Sequence, residues 1–121
     1  MQQLNRNEKM SMATITIKLA PSDVLRDFIT YGKKADLMVG AKLEAGKYTI
    51  MPSFEVYADG EDAAEAVFDL TNNPSRQQER EEKYGRHRSV SVGDVVEVDG
   101  VDYLCDSFGW TELEKFFGDM A

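Results

Sequence analysis

The run Asp94-Val95-Val96-Glu97-Val98-Asp99-Gly100-Val101-Asp102-Tyr103-Leu104 constrains the fold more than any other part of the chain. Asp-Gly between two valine-rich arms is the strongest short hairpin signal, because both central residues of the favoured turn need positive φ. The spacing predicts a strand over 94–98 and a return strand over 101–107. A two-residue turn sets Val98 opposite Val101, Glu97 opposite Asp102 and Val96 opposite Tyr103. Glu97 and Asp102 are then like charges across a ladder, which costs a few tenths to about 1 kcal/mol.

The rest of the chain is read around that hairpin. Residues 1–12 are polar and unpatterned and read as a flexible leader. Thr14-Ile15-Thr16-Ile17-Lys18-Leu19 alternates as a half-buried strand does. Ser22 reads as an N-cap with Asp23 behind it, opening a helix whose stripe is Val24, Leu25, Phe28 and Ile29. Gly32, with Lys33 and Lys34, suits its end. From Leu37 to Ala58 the signal is β, with turn points at Gly40 and Glu44-Ala45-Gly46. The better runs there are 48–51 and 54–57, broken by Pro52.

Asp59 reads as the cap of the clearest helix, with Ala63, Ala66, Val67 and Leu70 at i, i+3, i+4 and i+7. Asn72-Asn73-Pro74 stops it. Ser75 and Gln78 form a capping box for a polar helix ending at Gly85. Val90 and Val92, alternating with serines, read as β. Thr111 and Glu114 form a second capping box, opening a last helix with Leu113, Phe116 and Phe117 buried and Gly118 as its stop. Strands and helices in this order imply one α+β domain over 13–121, mainly antiparallel, with three or four helices. The hairpin packs under the 61–72 helix, the last helix closes one sheet edge, and the core includes Val67, Leu70, Val96, Tyr103, Phe108 and Trp110.

Charge narrows the function classes. The 121 residues carry 22 acids against 14 bases, a net charge of −8. That opposes general affinity for nucleic-acid backbones, which rests on Lys and Arg neutralising phosphate. The imbalance is local. Residues 53–70 hold six acids and no base, and residues 89–121 hold eight acids and one base. Residues 1–52 and 71–88 are net basic. Asp62, Glu65 and Asp69 fall at i, i+3 and i+7 on the polar face of the central helix, and Glu97 and Asp102 add two carboxylates on the hairpin. These five are the candidate partner-binding residues, facing a protein with a basic surface.

Catalytic and metal chemistry find little support. One histidine and one cysteine exclude HExxH and Cys-rich zinc sites. His87 lies between Arg86 and Arg88, and no Gly-x-Ser-x-Gly elbow accompanies Ser89 or Ser91. Asp99, Asp102 and Asp106 lack EF-hand spacing. Cys105 reads as a core thiol. No phosphate-binding glycine loop occurs, so no cofactor is expected and the chain reads as a non-enzyme. The rival reading is nucleic-acid contact through 76–88, where Arg76, Arg80, Lys83, Arg86 and Arg88 interleave with Glu79, Glu81 and Glu82.

Two segments carry a resemblance. FEVYADGEDAAEAVFDLTNNP (54–74) and RSVSVGDVVEVDGVDYLCDSFGW (88–110) together resemble the YodL-like domain of phage, plasmid and other mobile-element proteins. The similarity spans about residues 54–113, and the charged stretch 76–87 is longer than the family pattern. The resemblance implies an accessory protein of a mobile element in a bacterial cytoplasm, sometimes beside counter-defence modules, and it transfers no catalytic residues. Added to the charge pattern, it gives the expected function: an acidic, non-enzymatic protein that binds a host or element-encoded protein, as a counter-defence inhibitor or DNA mimic.

Overall fold

The computed structural model describes residues 12–24, 26, 39, 42–106 and 109–113. It is α+β, built on one antiparallel sheet. The strands are β1 (Ala13–Leu19), β2 (Thr49–Ile50), β3 (Phe54–Val56), β4 (Val95–Val98), β5 (Val101–Asp106) and β6 (Gly109–Leu113). Helix α1 (Gly60–Asn72) is followed by a 3-10 turn at Pro74–Arg76 and by α2 (Gln77–Lys83). The spatial order is β2-β1-β4-β5-β6, with β3 also on β1.

The hairpin has the expected register, Val98 with Val101, Glu97 with Asp102 and Val96 with Tyr103. Asp99 and Gly100 both take positive φ, 48° and 89°, the conformation that Asp-Gly tolerates best. Asp99 also clasps β1: its N–H donates to the Thr14 carbonyl at 3.0 Å and its Oδ1 accepts the Thr14 N–H at 2.9 Å. Strand β1 is thereby paired along Ile15–Lys18 to β4 and becomes central.

Alternation divides the sheet into two faces. Ala13, Ile15 and Ile17 of β1, Val96 and Val98 of β4, and Cys105 pack with Ala63, Ala64 and Val67 of α1. The opposite face carries a smaller cluster of Val24, Val39, Tyr48, Val95 and Leu104. Val67, Leu70 and Val96 are fully buried as expected, whereas Tyr103 and Trp110 are half-buried at the margin. The buried stripe of α1 is Ala63, Ala64, Val67, Leu70 and Thr71, so Ala64 takes the inward place that periodicity gives to Ala66.

Several local expectations are corrected. Lys42–Glu44 is helical, not β, and Gly46, at φ 72°, ends it with its N–H on the Leu43 carbonyl. Ser22 lies inside the helical turn it was expected to cap. Asp59 occupies the N-cap position of α1 with no side-chain capping bond. Asn73, not Ser75, caps the next turn, its Oδ1 accepting the Ser75 N–H at 3.0 Å. Val90 and Val92 form no strand; they drop into the two different clusters from an irregular segment. Thr111 and Leu113 belong to β6, where Thr111 pairs with Leu104 and Leu113 with Asp102, so no helix starts at Thr111. Phe28, Ile29, Gly32, Phe108, Phe116, Phe117 and Gly118 lie outside the described residues, as does the leader through residue 11.

Candidate partner-binding surfaces

The five candidate carboxylates do not share one surface. Asp62, Glu65 and Asp69 are exposed on the outer side of α1, over the sheet face that holds Val96 and Val98. Glu97 alternates with those valines and turns to the opposite face, together with Asp102 across the ladder. The structure therefore splits the set three and two.

The hairpin pair is already occupied. Lys18, arriving from β1 on the same face, places its Nζ 3.0 Å from Glu97 Oε1 and 2.8 Å from Asp102 Oδ1. This cation between two anions offsets the like-charge cost that the register imposes. Burial pulls the Lys18 pKa down, but hydrogen bonds to Asp102 and Glu97 outweigh it and hold the ammonium above its ordinary value. The alternation of residues 14–19 marks Lys18 as outward of the α1-side core. Only knowledge of the β1–β4 pairing reveals what it meets.

On α1 the engagement is partial. Asp69 receives Arg76 Nη1 at 2.8 Å, and that guanidinium, against a desolvation that opposes it, keeps the carboxyl below its usual range. Glu65 Oε1 accepts the Trp110 indole N–H at 2.8 Å, tying the helix to β6, and Trp110 meets the Phe68 ring edge-on at 6.3 Å. Asp62 is exposed beside Glu61 in the first turn, where negative side chains suit the helix dipole. Among the described residues, no cation pairs with the acidic N-terminal half of α1.

Asp94 belongs to the interior. It is fully buried and accepts four hydrogen bonds: Arg88 Nη1 at 2.6 Å, Arg88 Nη2 at 2.7 Å, and the N–H groups of Ala20 and Ser91 at 2.8 Å each. Arg88 also donates to the Ala20 carbonyl at 3.1 Å. The end of β1, the segment after α2 and the start of β4 are joined at this one carboxylate. Beside it, the buried Tyr48 hydroxyl donates to the Gly93 carbonyl at 2.7 Å, and burial, with the Asp94 charge second, pushes its pKa upward. The Ser-Val-Gly-Asp segment is a structural clasp, as its position at a strand entrance suggests.

The basic segment is similarly committed. Arg76 holds Asp69 and Glu79. Arg80 donates to the His87 carbonyl and lies 5.7 Å from the Tyr84 ring centroid. Lys83 donates to the Glu55 carbonyl at 3.1 Å, and Arg88 serves Asp94. Arg86 is largely exposed, 3.7 Å from Glu81. Phosphate contact through 76–88 would compete with these partners.

His87 packs its ring edge-on against Tyr84 at 5.4 Å, while the Ser89 hydroxyl donates to the Thr71 carbonyl. Among the described residues no three His, Cys, Asp or Glu side chains are grouped to hold a metal ion. Cys105 is buried, and desolvation, with Asp94 and Asp106 next, pushes its thiol up to about 12. No helix among the described residues is long and apolar enough to cross a membrane. No family model, curated protein or solved structure matches this chain.

Proposed function

We propose that the chain is a non-enzymatic, acidic accessory protein of a phage or other mobile element that binds a host or element-encoded protein through the outer face of α1. The observation that carries this reading is the exposed row Asp62, Glu65 and Asp69, within a stretch, residues 53–70, of six acids and no base. Glu97 and Asp102, shared by Lys18 on the other sheet face, are secondary contributors. A fixed row of carboxylates attracts a basic surface over several ångströms and makes association fast and salt-sensitive. Against a partner surface that binds DNA, the row would stand in for phosphates as a competitor. The YodL-like resemblance of residues 54–113 supports the mobile-element setting in a bacterial cytoplasm, and a counter-defence inhibitor fits both features.

Capture from host lysate at low salt, with the full chain as bait, tests the reading. A partner should be retained by the wild-type chain, released as salt rises, and lost with Asp62→Lys/Glu65→Lys. Both positions are exposed, so the double variant should fold. Retention by that variant, or capture indifferent to salt, overturns the reading.

A further inference from the structure

Strand β1 has β4 on one side, and along its other side run β2 and β3, joined by residues 51–53. From Lys18 opposite Ile50 to Ile15 opposite Phe54, two residues of β1 face three of the other strand, so this edge contains a one-residue bulge. Met51 N–H still donates to the Ile17 carbonyl, and the Ser53 and Thr16 hydroxyls meet at 2.7 Å, leaving Pro52 as the extra residue. Among the described residues no further strand pairs along this edge.

The exposed large apolar side chains of the described residues are Met12, Ile50 and Tyr57, at 43%, 58% and 69%. Ile50 and Tyr57 belong to this edge, and Met12 flanks β1 directly behind it. Ile50 shares the face of Lys18, while Tyr57, one past Val56, and Met12, one before Ala13, alternate onto that same face. The backbone points the same way. Thr14 turns its carbonyl to Asp99 of the hairpin, so Glu55 opposite it turns outward, and its carbonyl is taken by the Lys83 ammonium at 3.1 Å. A cleft of about 330 Å³ lies beside this edge, with Val56, Tyr57, Ala66 and Lys83 in its lining.

We propose that the β2–β3 edge is a latent self-pairing surface held shut by Lys83, and that two copies join it antiparallel about a two-fold axis at Phe54 once Lys83 releases the Glu55 carbonyl. The register is self-complementary. With the bulge counted, Ile50 lies three β1 positions to one side of Phe54 and Tyr57 lies three to the other. The two-fold operation therefore sets Ile50 opposite Tyr57 of the second copy, twice, on one face. Phe54 meets its own counterpart on the other face. Aliphatic–aromatic and aromatic pairs are favourable cross-strand contacts, and an isologous pairing uses one patch on both copies. A bulge, a proline and a lysine are the devices by which natural edges resist such pairing. Of the three, only the lysine contact, a single exposed hydrogen bond, can open without rebuilding the strand.

The test is sedimentation equilibrium of the full chain. Wild type should remain monomeric at about 200 µM, while Lys83→Met should form dimers with a dissociation constant lower by about tenfold or more. Lys83 is exposed, so its melting temperature should stay near wild type. In the Lys83→Met background, the pair Ile50→Cys/Tyr57→Cys should give an interchain disulfide that either single cysteine does not. Hydrogen-bonded residues facing across strands have Cα atoms about 5.5 Å apart, within disulfide range. A folded Lys83→Met that stays monomeric overturns the proposal. So does a wild type that dimerises equally well, or a dimer that crosslinks through single cysteines.

Discussion

The two faces of the sheet are closed by different physics. Beneath α1 the contacts are mainly apolar, with Ile15, Ile17, Val67, Val96 and Cys105 in one cluster and the buried Thr71 hydroxyl accepting the Val90 N–H near the helix end. On the other face the described residues form a smaller apolar cluster around Val95 and Leu104. That face also carries an ion cluster, with Lys18 between Glu97 and Asp102. At the junction of the two, Arg88 closes on the buried Asp94. A helix removes carbon from water without needing geometry. Ions taken from water require nearly complete pairing, or the interior loses more than it gains. The difference teaches where surplus acidity remains: among the described residues, the ion-bearing side has Lys18 and Arg88, and the outer face of α1 has only Arg76.

The strongest way to break this contrast is Arg88→Met. It leaves Asp94 buried with only the Ala20 and Ser91 N–H groups as donors, and should cost about 3 kcal/mol, the lower end for a buried pair broken from one side. Half of the Arg88 side chain is exposed, which is why the cost does not go higher. Chemical denaturation should show the loss with an unchanged m-value. A cost below about 1 kcal/mol would mean that solvent reaches Asp94 and that the clasp is not interior.

Lys18→Met attacks the same face more gently. Glu97 and Asp102 would then oppose each other directly, for a loss of about 1–2 kcal/mol. The pH dependence gives a separate readout. Because the folded Lys18 pKa stands above its ordinary 10.5, the folded state holds this proton more tightly than the unfolded chain. Its contribution is complete below that ordinary value and disappears as pH rises through the folded one. Wild type should lose stability in that alkaline window, and Lys18→Met should lose less. Parallel alkaline limbs for the two proteins would show that the triad is not coupled to folding.

How much of this was legible in the sequence depends on how local the cause is. The Asp99-Gly100 turn, the register of Glu97 and Asp102, and the end of α1 at Asn72 follow from residues a few positions apart, and all three appear as expected. Asp69 and Asp94 are answered by arginines six or seven positions away, but other carboxylates find their donors far along the chain. Lys18 reaches Asp102 across 84 positions, and Trp110 reaches Glu65 across 45. No periodicity encodes such pairs. Thr111 shows the opposite failure: a good local capping signal is overruled by pairing with Leu104 in β6, where a ladder satisfies the backbone that a cap would otherwise serve. The five acidic candidates were correctly placed on a helix face and a hairpin, and only the topology separates them into two surfaces.

The smallest predicted effect tests the link between the acidic helix face and the sheet. Glu65 accepts the Trp110 indole N–H at 2.8 Å, but Glu65 is exposed, and an exposed charge-assisted bond contributes little net stability because water replaces it. Glu65→Gln retains an acceptor oxygen and removes the charge, so the midpoint of unfolding should move by no more than about 0.5 kcal/mol. Trp110 fluorescence is the sensitive readout, since it is the only tryptophan in the chain. Its ring is held edge-on to Phe68 at 6.3 Å, and that packing does not depend on the carboxylate. The emission maximum should therefore shift slightly as the charge beside the indole disappears, without the large red shift of a ring released to water. A full red shift with unchanged stability would mean that Glu65 alone holds Trp110 against α1. The helix face and β6 would then be joined by the hydrogen bond and not by the aromatic contact.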